Sequence, residues 1–314
     1  MKKRLIILTG PTGAGKTKIS IELAKALNGE IISADSMQVY KGLDIGSAKI
    51  TDEEMQGVRH FLIDVLDPQD AFDVTVFQKM AKEAIDDITS RGKLPIVVGG
   101  TGFYIQALRR DVDFTEEDGD TKLRKSLEEE AERIGKEAFH EKLKEIDPAS
   151  YVRIPAGNVK RVVRALEFYQ IHGYPISEHN DAEKEKTSIY DDFCFVLCNE
   201  RSVLYDAINK RVDKMVGDGL IEEVRALKEA GLTMQDNSMQ GIGYKEILMY
   251  LNGECSKEEA VELVKLNTRH FAKRQFTYFK GMDDVIWFDK SKYENPDEEI
   301  AVEIISMVKD KFGE

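Results

Sequence analysis

The segment that most restricts the fold of this chain is a glycine-rich loop close to its N-terminus. The apolar run RLIIL, residues 4–8, leads into GPTGAGKT, residues 10–17, and a helical pattern of apolar residues follows. The loop fits G-x-x-x-x-G-K-[ST] in full, and a position between a strand and a helix is the context in which that pattern binds phosphate. The sequence therefore predicts the strand–loop–helix unit of a phosphate-binding loop (P-loop).

Apolar runs rich in β-branched residues recur along the chain and alternate with helical patterns. After RLIIL they are EIIS, HFLIDVL, LPIVVGG, FCFVLC and DVIWF. Continuous apolar runs of this length are typical of strands buried on both faces, and alternation of strands with helices is typical of parallel sheets. The prediction is an α/β fold, with a P-loop NTPase-like parallel sheet and flanking helices.

A helical segment interrupts this alternation. From Asp113 to about Thr187 the strand pattern disappears, and charged stretches with helical periodicity take its place. In one of them, NVKRVVRALEFYQIHG, Asn158 stands where an N-cap is expected and Gly173 where a helix is expected to stop. We therefore predict a core formed by residues 1–112 and 188–314, with a helical insertion domain at residues 113–187.

Charge and composition exclude several classes of protein. The net charge of −13 argues against nucleic-acid binding through a generally basic surface. Residues 148–166 and 265–280, however, contain several Lys and Arg and no acid, as expected of a chain that binds a polyanion at one place. The cysteines and histidines lack the spacing of a disulfide framework or a zinc site. No apolar run is long enough for a membrane span, so we expect a cytoplasmic protein.

The P-loop predicts a diphosphate ligand held with a metal ion. Gly10, Gly13 and Gly15 allow backbone N–H groups to converge on phosphate oxygens. Lys16 brings a positive charge to the terminal phosphates, Thr17 offers a hydroxyl to Mg²⁺, and the helix N-terminus adds its dipole. No part of the motif recognises a base, so it is strong evidence for a diphosphate and weak evidence for ATP.

An NTPase would also need an acid at the end of an apolar strand to hold the metal. The run HFLID ends at Asp64, which is a candidate, whereas LPIVVGG is followed by Thr101. The glycines on either side of Thr101 permit close approach of a ligand.

A second polar cluster follows the predicted strand EIIS, at the edge where open α/β sheets bind ligands. Its members are Ser33, Asp35, Ser36 and Gln38. Asp35 is a candidate for orienting an attacking nucleophile or accepting its proton. From this segment alone, an aspartate that caps a turn is an equally good interpretation.

Eight segments, taken in order, resemble the tRNA dimethylallyltransferases, also called tRNA isopentenyltransferases. They are GPTGAGKT, SADSMQVY, DIGSAK, FLID, PIVVGGTGFY, KRVVRALEFY, QGIGYKE and TRHFAKRQFTYF. The resemblance runs from Leu5 to about Asp289 and includes the helical insertion. The chain differs from the family pattern at Ser47 (often Thr), Phe61 (often His) and Ala207 (often Arg), and the last difference leaves open how many arginines hold the diphosphate.

The resemblance implies a prenyl transfer without nucleotide hydrolysis. In this family the dimethylallyl group of dimethylallyl diphosphate passes to the exocyclic N6 amine of the adenosine 3′-adjacent to the anticodon in tRNA, with Mg²⁺ as cofactor, and pyrophosphate is released. The implied catalytic residues are Asp35 as base, Thr101 at the leaving group and target nucleotide, Lys16, and Arg211 at the diphosphate. The implied diphosphate-binding residues are Gly10, Pro11, Thr12, Gly13, Ala14, Gly15, Lys16 and Thr17, with Thr17 as metal ligand.

The resemblance also gives the two acid-free stretches a partner, the anticodon stem-loop of tRNA. The implied tRNA-binding residues are Asp35, Ser36, Met37, Gln38, Thr101, Arg124, Lys160, Arg161, Arg164, Lys273, Arg274 and Gln275. Base-specific recognition of RNA needs an unpaired loop whose bases can splay out, and the target adenosine would have to flip into the core beside Asp35. We expect the protein to act as a monomer.

Two other functions remain open at this point. A P-loop small-molecule kinase would use the same loop for ATP and Mg²⁺, but it leaves the acid-free stretches without a purpose. A non-catalytic tRNA-binding module with a relic P-loop would require neither Lys16 nor Asp35.

Overall fold

A parallel β-sheet forms the centre of the fold in the computed structural model, which describes residues 2–114 and 121–313. The strands in those ranges are β1 (Arg4–Thr9), β2 (Gly29–Ser33), β3 (His60–Phe61), β4 (Leu94–Gly99), β5 (Asp191–Cys198) and β6 (Ile286–Asp289). They pair in the order β3-β2-β4-β1-β5-β6, and every pair is parallel. The predicted fold class is confirmed.

Helices connect and flank these strands. In chain order they are α1 (Lys16–Ala26), α2 (Asp52–Met55), α3 (Val74–Ser90), α4 (Gly102–Arg110), α5 (Thr121–Ile134), α6 (Lys136–Glu141), α7 (Leu143–Ile146), α8 (Pro148–Arg153), α9 (Val159–His172), α10 (Ile176–Glu185), α11 (Arg201–Gly217), α12 (Leu220–Glu229), α13 (Tyr244–Leu251), α14 (Lys257–Lys280) and α15 (Pro296–Phe312). Within the described ranges, no helix combines the length and the apolar character that crossing a membrane requires.

The apolar run of β1 is buried on both faces of the sheet. Leu5 and Ile7 belong to one hydrophobic cluster, and Ile6 and Leu8 belong to a second cluster. This alternation follows from the two-residue period of a strand, and the central place of β1 between β4 and β5 explains why all four residues are apolar. The P-loop therefore leaves the sheet from its most buried strand.

The strand predicted over HFLIDVL is wrong in length, because β3 ends at Phe61. Leu62 and Asp64 adopt left-handed φ angles of 62° and 53°, which no extended strand allows. From there the backbone bonds to the segment after β2: the amide of Asp64 donates to the Gln38 carbonyl at 3.2 Å. The turn buries Leu62 in the core, with 4% of its surface exposed.

Of the helical patterns read from the insertion, one is confirmed and one is interrupted. The cap and the stop of α9 are confirmed, because the Asn158 side chain accepts from the Arg161 amide and Gly173 ends the helix with φ 79°. The charged stretch before it is not continuous, since Gly135, with φ 84°, separates α5 from α6. A left-handed glycine cannot continue an α-helix, although the apolar spacing passes through it.

The chain divides into two compact units, one of residues 1–109 and 189–314 and one of residues 110–188. The predicted insertion spans 113–187, and its residues 115–120 lie outside the described part. In the described residues of the second unit the secondary structure is helical, and its core contains Leu127, Phe139 and Leu166. Within the first unit, the Ile189 amide donates to the Arg109 carbonyl at 2.8 Å, so the chain leaves the sheet body and returns to it at one point.

A buried ion cluster near the amino end of β2 predicts acid-sensitive stability. The Glu30 carboxylate, 3% exposed, accepts from both terminal nitrogens of Arg91 and from Lys93 at 2.7 Å. These bonds, led by that of Arg91, outweigh the effect of burial and lower the pKa of Glu30 from 4.5 to about 2. Because the folded pKa is depressed, this contribution is complete above the unfolded pKa and is lost as pH falls from about 5 to 2.

We therefore expect Glu30→Gln to lower the free energy of unfolding at pH 7 by about 1–2 kcal/mol, after allowance for solvent screening of the partly exposed Arg91 and Lys93. The difference from the wild type should shrink as pH falls toward 2, as measured by denaturant unfolding at a series of pH values. Glu22→Gln, on the exposed face of α1, is the control and should be neutral. A difference that stays constant with pH would contradict this assignment.

Candidate active site

A cavity of about 640 Å³ lies in the first unit at the carboxyl edge of the sheet. Its lining comes from the P-loop, the segment after β2, the loop before α2, and helices α11 and α14. The lining residues include Thr12, Gly13, Gly15, Lys16, Thr17, Asp35, Gln38, Asp44, Lys49, Arg211 and Gln275. This is the edge where α/β sheets bind ligands, and the volume is in the range of small-molecule sites. Four of the sequence-predicted site residues outside the P-loop therefore meet the P-loop in one cavity: Asp35, Gln38, Arg211 and Gln275.

The glycines of the P-loop are needed for close approach of the backbone. Gly10 has φ 145°, and a Cβ atom there would lie 2.4 Å from the Leu197 carbonyl oxygen of β5. Gly15 has φ 78° and stands at the N-cap of α1, where no side chain caps the helix. The first amides of α1 therefore face the cavity without a competing side-chain acceptor, which is the arrangement that binds phosphate.

The side chain of Lys16 lies against the backbone of the P-loop. Its Nζ atom donates to the carbonyls of Gly10 and Pro11 at 2.8 and 3.0 Å. Burial, and next the positive charge of Arg211, lower the pKa of Lys16 from 10.5 to about 8, while the charge of Asp35 opposes the shift. An anion bound between Lys16 and Arg211 would stabilise both positive charges, and so offset the cost of their burial and their mutual repulsion.

Arg211 enters the same cavity from α11. Its pKa is lowered by burial, and the negative charges of Asp35 and Glu54 oppose that shift. Its Nη1 atom lies 3.5 Å from the Thr12 hydroxyl of the P-loop. Two cations from distant parts of the chain thus meet at the P-loop. Ala207, one turn earlier on α11, lines the cavity but adds no charge to this pair.

Asp35 is held by one of its two carboxylate oxygens. Oδ1 accepts from the amides of Met37 and Gln38 at 2.8 and 3.3 Å, in a turn directly after β2. For Oδ2, residues 2–114 and 121–313 provide no hydrogen bond, and Asp35 lines the cavity. The capping and the catalytic interpretations of Asp35 are therefore compatible, since each uses a different oxygen.

Three neighbours of these residues lie outside the cavity lining, although the sequence placed them in the site. Ser36 and Met37 follow Asp35, and Thr101 follows the lining residues Gly99 and Gly100. Met37 packs against Gly241, where a Cβ atom would be 2.6 Å from the Met37 sulfur. Thr101 lies directly before α4 and its carbonyl accepts from the Ile105 amide. Their assigned contacts with substrate stay predictions.

Gln275 connects three parts of the site. Its side chain is buried, its Oε1 atom accepts from the Thr12 amide at 2.8 Å, and its Nε2 atom donates to the Gly100 carbonyl at 2.9 Å. A Cβ atom at Gly100 would be 2.3 Å from that nitrogen, so a larger residue there would displace the Gln275 amide from its present position. The sequence assigned Gln275 to tRNA, but the structure shows its amide engaged with the P-loop and the loop after β4.

A basic groove of about 470 Å³ lies along α14. It is lined by His270, Lys273, Arg274, Thr277 and Tyr278. Lys273 and Arg274, both predicted to bind tRNA, are exposed there.

The other predicted tRNA-binding residues lie in the helical unit. Lys160 and Arg161 are exposed at the start of α9. Arg124 donates to Oε2 of the buried Glu167 through Nε at 3.2 Å and Nη2 at 2.6 Å, and Arg164 lies 3.7 Å from the same oxygen. A buried carboxylate thus holds two of the arginines beside each other.

Several residues of the site were missed by the sequence interpretation. Lys49 is 6% exposed, and its Nζ atom contacts Asp44, Asp64 and the Tyr40 carbonyl. Asp64, the candidate metal ligand, therefore pairs with this lysine and is not among the lining residues. Lys290, directly after β6, lies 3.3 Å from the Ala14 carbonyl of the P-loop and pairs with Asp297. Its position after a strand at the carboxyl edge was the available signal.

The residues present fit a magnesium ion carried by a diphosphate. In the described ranges, no group of three or more His, Cys, Asp or Glu side chains could hold a metal alone. Mg²⁺ usually keeps few protein ligands and takes the rest from phosphates and water. The Thr17 hydroxyl at the start of α1 lines the cavity beside Lys16, so it suits that smaller role.

Comparison with known proteins is consistent across sequence and structure. A family profile described as IPP transferase matches residues 38–282. A tRNA dimethylallyltransferase from Lachnoclostridium phytofermentans is 54% identical, with 98% of each chain covered. A solved structure of a tRNA isopentenylpyrophosphate transferase from Bacillus halodurans is 43% identical with a TM-score of 0.74, covering 99% of this chain and 97% of that one. A eukaryotic dimethylallyltransferase acting on tRNA is 31% identical with a TM-score of 0.80, covering 96% and 78%.

Proposed function

The chain belongs to the IPP transferase family of tRNA dimethylallyltransferases, and from this premise we propose how its site carries out prenyl transfer. The substrates are dimethylallyl diphosphate and tRNA. The dimethylallyl group passes to the exocyclic N6 amine of the adenosine 3′-adjacent to the anticodon, and pyrophosphate leaves. The protein acts on the anticodon stem-loop, as a monomer in the cytoplasm.

One observation carries this proposal: Lys16, Arg211 and Asp35 line a single cavity at the carboxyl edge of the sheet. The two cations suit a diphosphate that leaves with negative charge. The carboxylate suits an amine that loses a proton as it becomes bonded. A site for ATP hydrolysis would use the cations but would have no need of a base for an amine.

The reaction breaks the bond between the allylic carbon and the diphosphate oxygen, and it forms a bond between that carbon and N6. An aromatic amine is a weak nucleophile, so positioning and stabilisation of the leaving group must supply most of the rate enhancement. Lys16, Arg211 and the first amides of α1 would stabilise the charge that builds on pyrophosphate. Asp35 would take the N6 proton through Oδ2, while Oδ1 keeps the carboxylate in place.

Magnesium fits this site as a partner of the diphosphate. Thr17 would hold it, together with phosphate oxygens. When bound, it supplies additional neutralisation of the leaving group.

The basic surfaces would bind the tRNA backbone. Lys160 and Arg161 on α9, and Lys273 and Arg274 on α14, present exposed cations. Contacts of this kind position an RNA, whereas base contacts in the cavity select the nucleotide. We propose that the helical insertion serves this binding and that the sheet body carries the chemistry.

The proposed function is tested by incubating the protein with unmodified tRNA, dimethylallyl diphosphate and Mg²⁺, followed by mass analysis of the nucleosides. We expect an adenosine heavier by one dimethylallyl group, confined to the anticodon loop after digestion into fragments. Parallel reactions replace dimethylallyl diphosphate by ATP, or tRNA by free adenosine. Absence of the product beside an active control enzyme, or turnover of ATP without tRNA, would contradict the proposal.

A further inference from the structure

A carboxylate outside the cavity binds the loop that forms one of its walls. Glu223, on α12, accepts from three successive backbone amides: Asp44 at 3.0 Å, Ile45 at 2.7 Å and Gly46 at 3.0 Å. Asp44 and Ile45 line the cavity, whereas Glu223 does not. Hydrogen bonds from N–H groups to an ionised carboxylate are stronger than those between neutral groups, so Glu223 holds this loop firmly.

Tyr244, the first residue of α13, completes this anchor. Its hydroxyl donates to Glu223 at 2.7 Å and accepts from the Ser47 amide at 3.1 Å. Burial, and next the charge of Glu223, raise the pKa of Tyr244, so the hydroxyl keeps its proton. The loop also lies against the ring, because a Cβ atom at Gly46 would be 2.6 Å from it.

The anchored loop in turn holds the turn that contains Asp35. The carbonyls of Ser47 and Ala48 accept from the Gln38 side-chain amide at 3.4 and 3.2 Å. The backbone amide of Gln38 then donates to Oδ1 of Asp35 at 3.3 Å. Hydrogen bonds at each end, joined by the backbone of residues 44–48 and by Gln38, therefore connect Glu223 with Asp35 along the cavity wall.

We propose that Glu223 and Tyr244 are positioning residues for Asp35 in the prenyl transfer, acting through the loop of residues 44–48. This inference rests on the proposed function, in which Asp35 accepts the N6 proton. The anchor sets the distance between Oδ2 of Asp35 and the amine, and Glu223 itself hydrogen-bonds to residues 44–46 and Tyr244, not to the P-loop or the exposed cations of α9 and α14. Its effect is therefore on kcat.

The substitution Glu223→Gln tests the anchor with little change in volume. The neutral amide offers one acceptor atom where the carboxylate offers two, and its NH₂ group opposes a backbone N–H. We expect kcat to fall about 10- to 100-fold, since a displacement near 1 Å costs that much in positioned reactions. The KM for dimethylallyl diphosphate and the Kd for tRNA should remain within about twofold, because phosphate and backbone contacts are untouched.

A double substitution separates positioning from general stability. If Glu223 acts through Asp35, Glu223→Gln in an Asp35→Asn background has no further effect on kcat. Equal losses in both backgrounds would overturn the proposal, as would a wild-type kcat in Glu223→Gln or a change confined to KM. Glu222→Gln is the matched control. This neighbour on α12 is exposed, its Oε1 atom lies 3.6 Å from Nη1 of Arg225, and it does not line the cavity.

If the Tm shows that Glu223→Gln does not fold, Tyr244→Phe provides the test. It removes one hydroxyl from the anchor and should lower kcat by a smaller factor than Glu223→Gln. In the Asp35→Asn background it should have no effect on kcat, and an additive loss there overturns the proposal. The wild type is assayed beside the variants, so a failure of the proposed function appears as absence of prenylated adenosine in the wild type itself. An active wild type with an unaffected Glu223→Gln rejects only the positioning role.

Discussion

The substitution Asp35→Asn is expected to lower kcat about 10²- to 10⁴-fold, the range for loss of a positioned general base. Asparagine keeps the Oδ1 acceptor that the amides of Met37 and Gln38 use, so the turn after β2 should retain its geometry. It removes the negative charge and the proton-accepting capacity of the second oxygen. The affinity for tRNA should remain nearly unchanged, because Asp35 acts on the reacting amine and not on backbone phosphates.

Single-turnover rates and a tRNA-binding isotherm, measured on the same preparation, check this expectation. Asp67→Asn is a matched control, since Asp67 is exposed, pairs with Lys41 and lies outside the cavity lining. If tRNA affinity collapses while the single-turnover rate at saturation is normal, Asp35 is a binding residue and the role of base is rejected. If neither quantity changes, the non-catalytic alternative is favoured.

The substitution Lys16→Ala is expected to lower kcat/KM for dimethylallyl diphosphate about 10²- to 10³-fold, by analogy with removal of one group that stabilises charge in a transition state. The loss arises because Lys16 and Arg211 are buried cations that meet at the P-loop, and the substitution removes one of them from the leaving pyrophosphate. Affinity for tRNA should not change. Both kcat and KM should be affected, since the diphosphate is bound before it leaves.

Initial rates over a range of dimethylallyl diphosphate concentrations check this prediction. Lys18→Ala is the control, because Lys18 lies two residues further on α1, is largely exposed and pairs weakly with Asp297. Lys16→Arg tests whether charge alone suffices, and we expect only partial recovery, since guanidinium geometry differs from that of an ammonium. Wild-type kinetics in Lys16→Ala would show that the P-loop is a relic.

The sequence predicted best those features that depend on neighbouring residues. The P-loop and the caps of α9 follow from patterns of a few residues, and the parallel sheet follows from the alternation of such local strand and helix patterns. The length of β3 was wrong because its end is set by backbone bonds to Gln38 and Val39, more than 20 residues earlier in the chain. The periodicity of apolar residues in HFLIDVL carries no information about such a partner.

The contacts that the supporting residues make were beyond prediction for the same reason. Glu223 acts on a loop 177 to 179 residues away in the chain, and Gln275 acts on Thr12, 263 residues away. Glu223 is a polar residue on a helix, with no local feature that separates it from an exposed neighbour such as Glu222. Gln275 was predicted to be in the site, but its contact with the P-loop was not. The exposed cations of α9 and α14 that are proposed to bind tRNA stand in acid-free stretches that are visible in the sequence, whereas Lys49 and Lys290 do not. Which residue anchors which loop depends on the folded chain.

The hydrogen bond between Ile189 and Arg109 bears on how such an enzyme could arise. An insertion whose ends meet does not require the host strands to be threaded again, so it can be gained, lost or exchanged while the sheet keeps its order. Under the proposed function, helical segments of other sequence grafted between residues 109 and 189 would change the binding of the tRNA backbone and leave the diphosphate chemistry in place. The same junction suits a short artificial linker for producing the catalytic body alone.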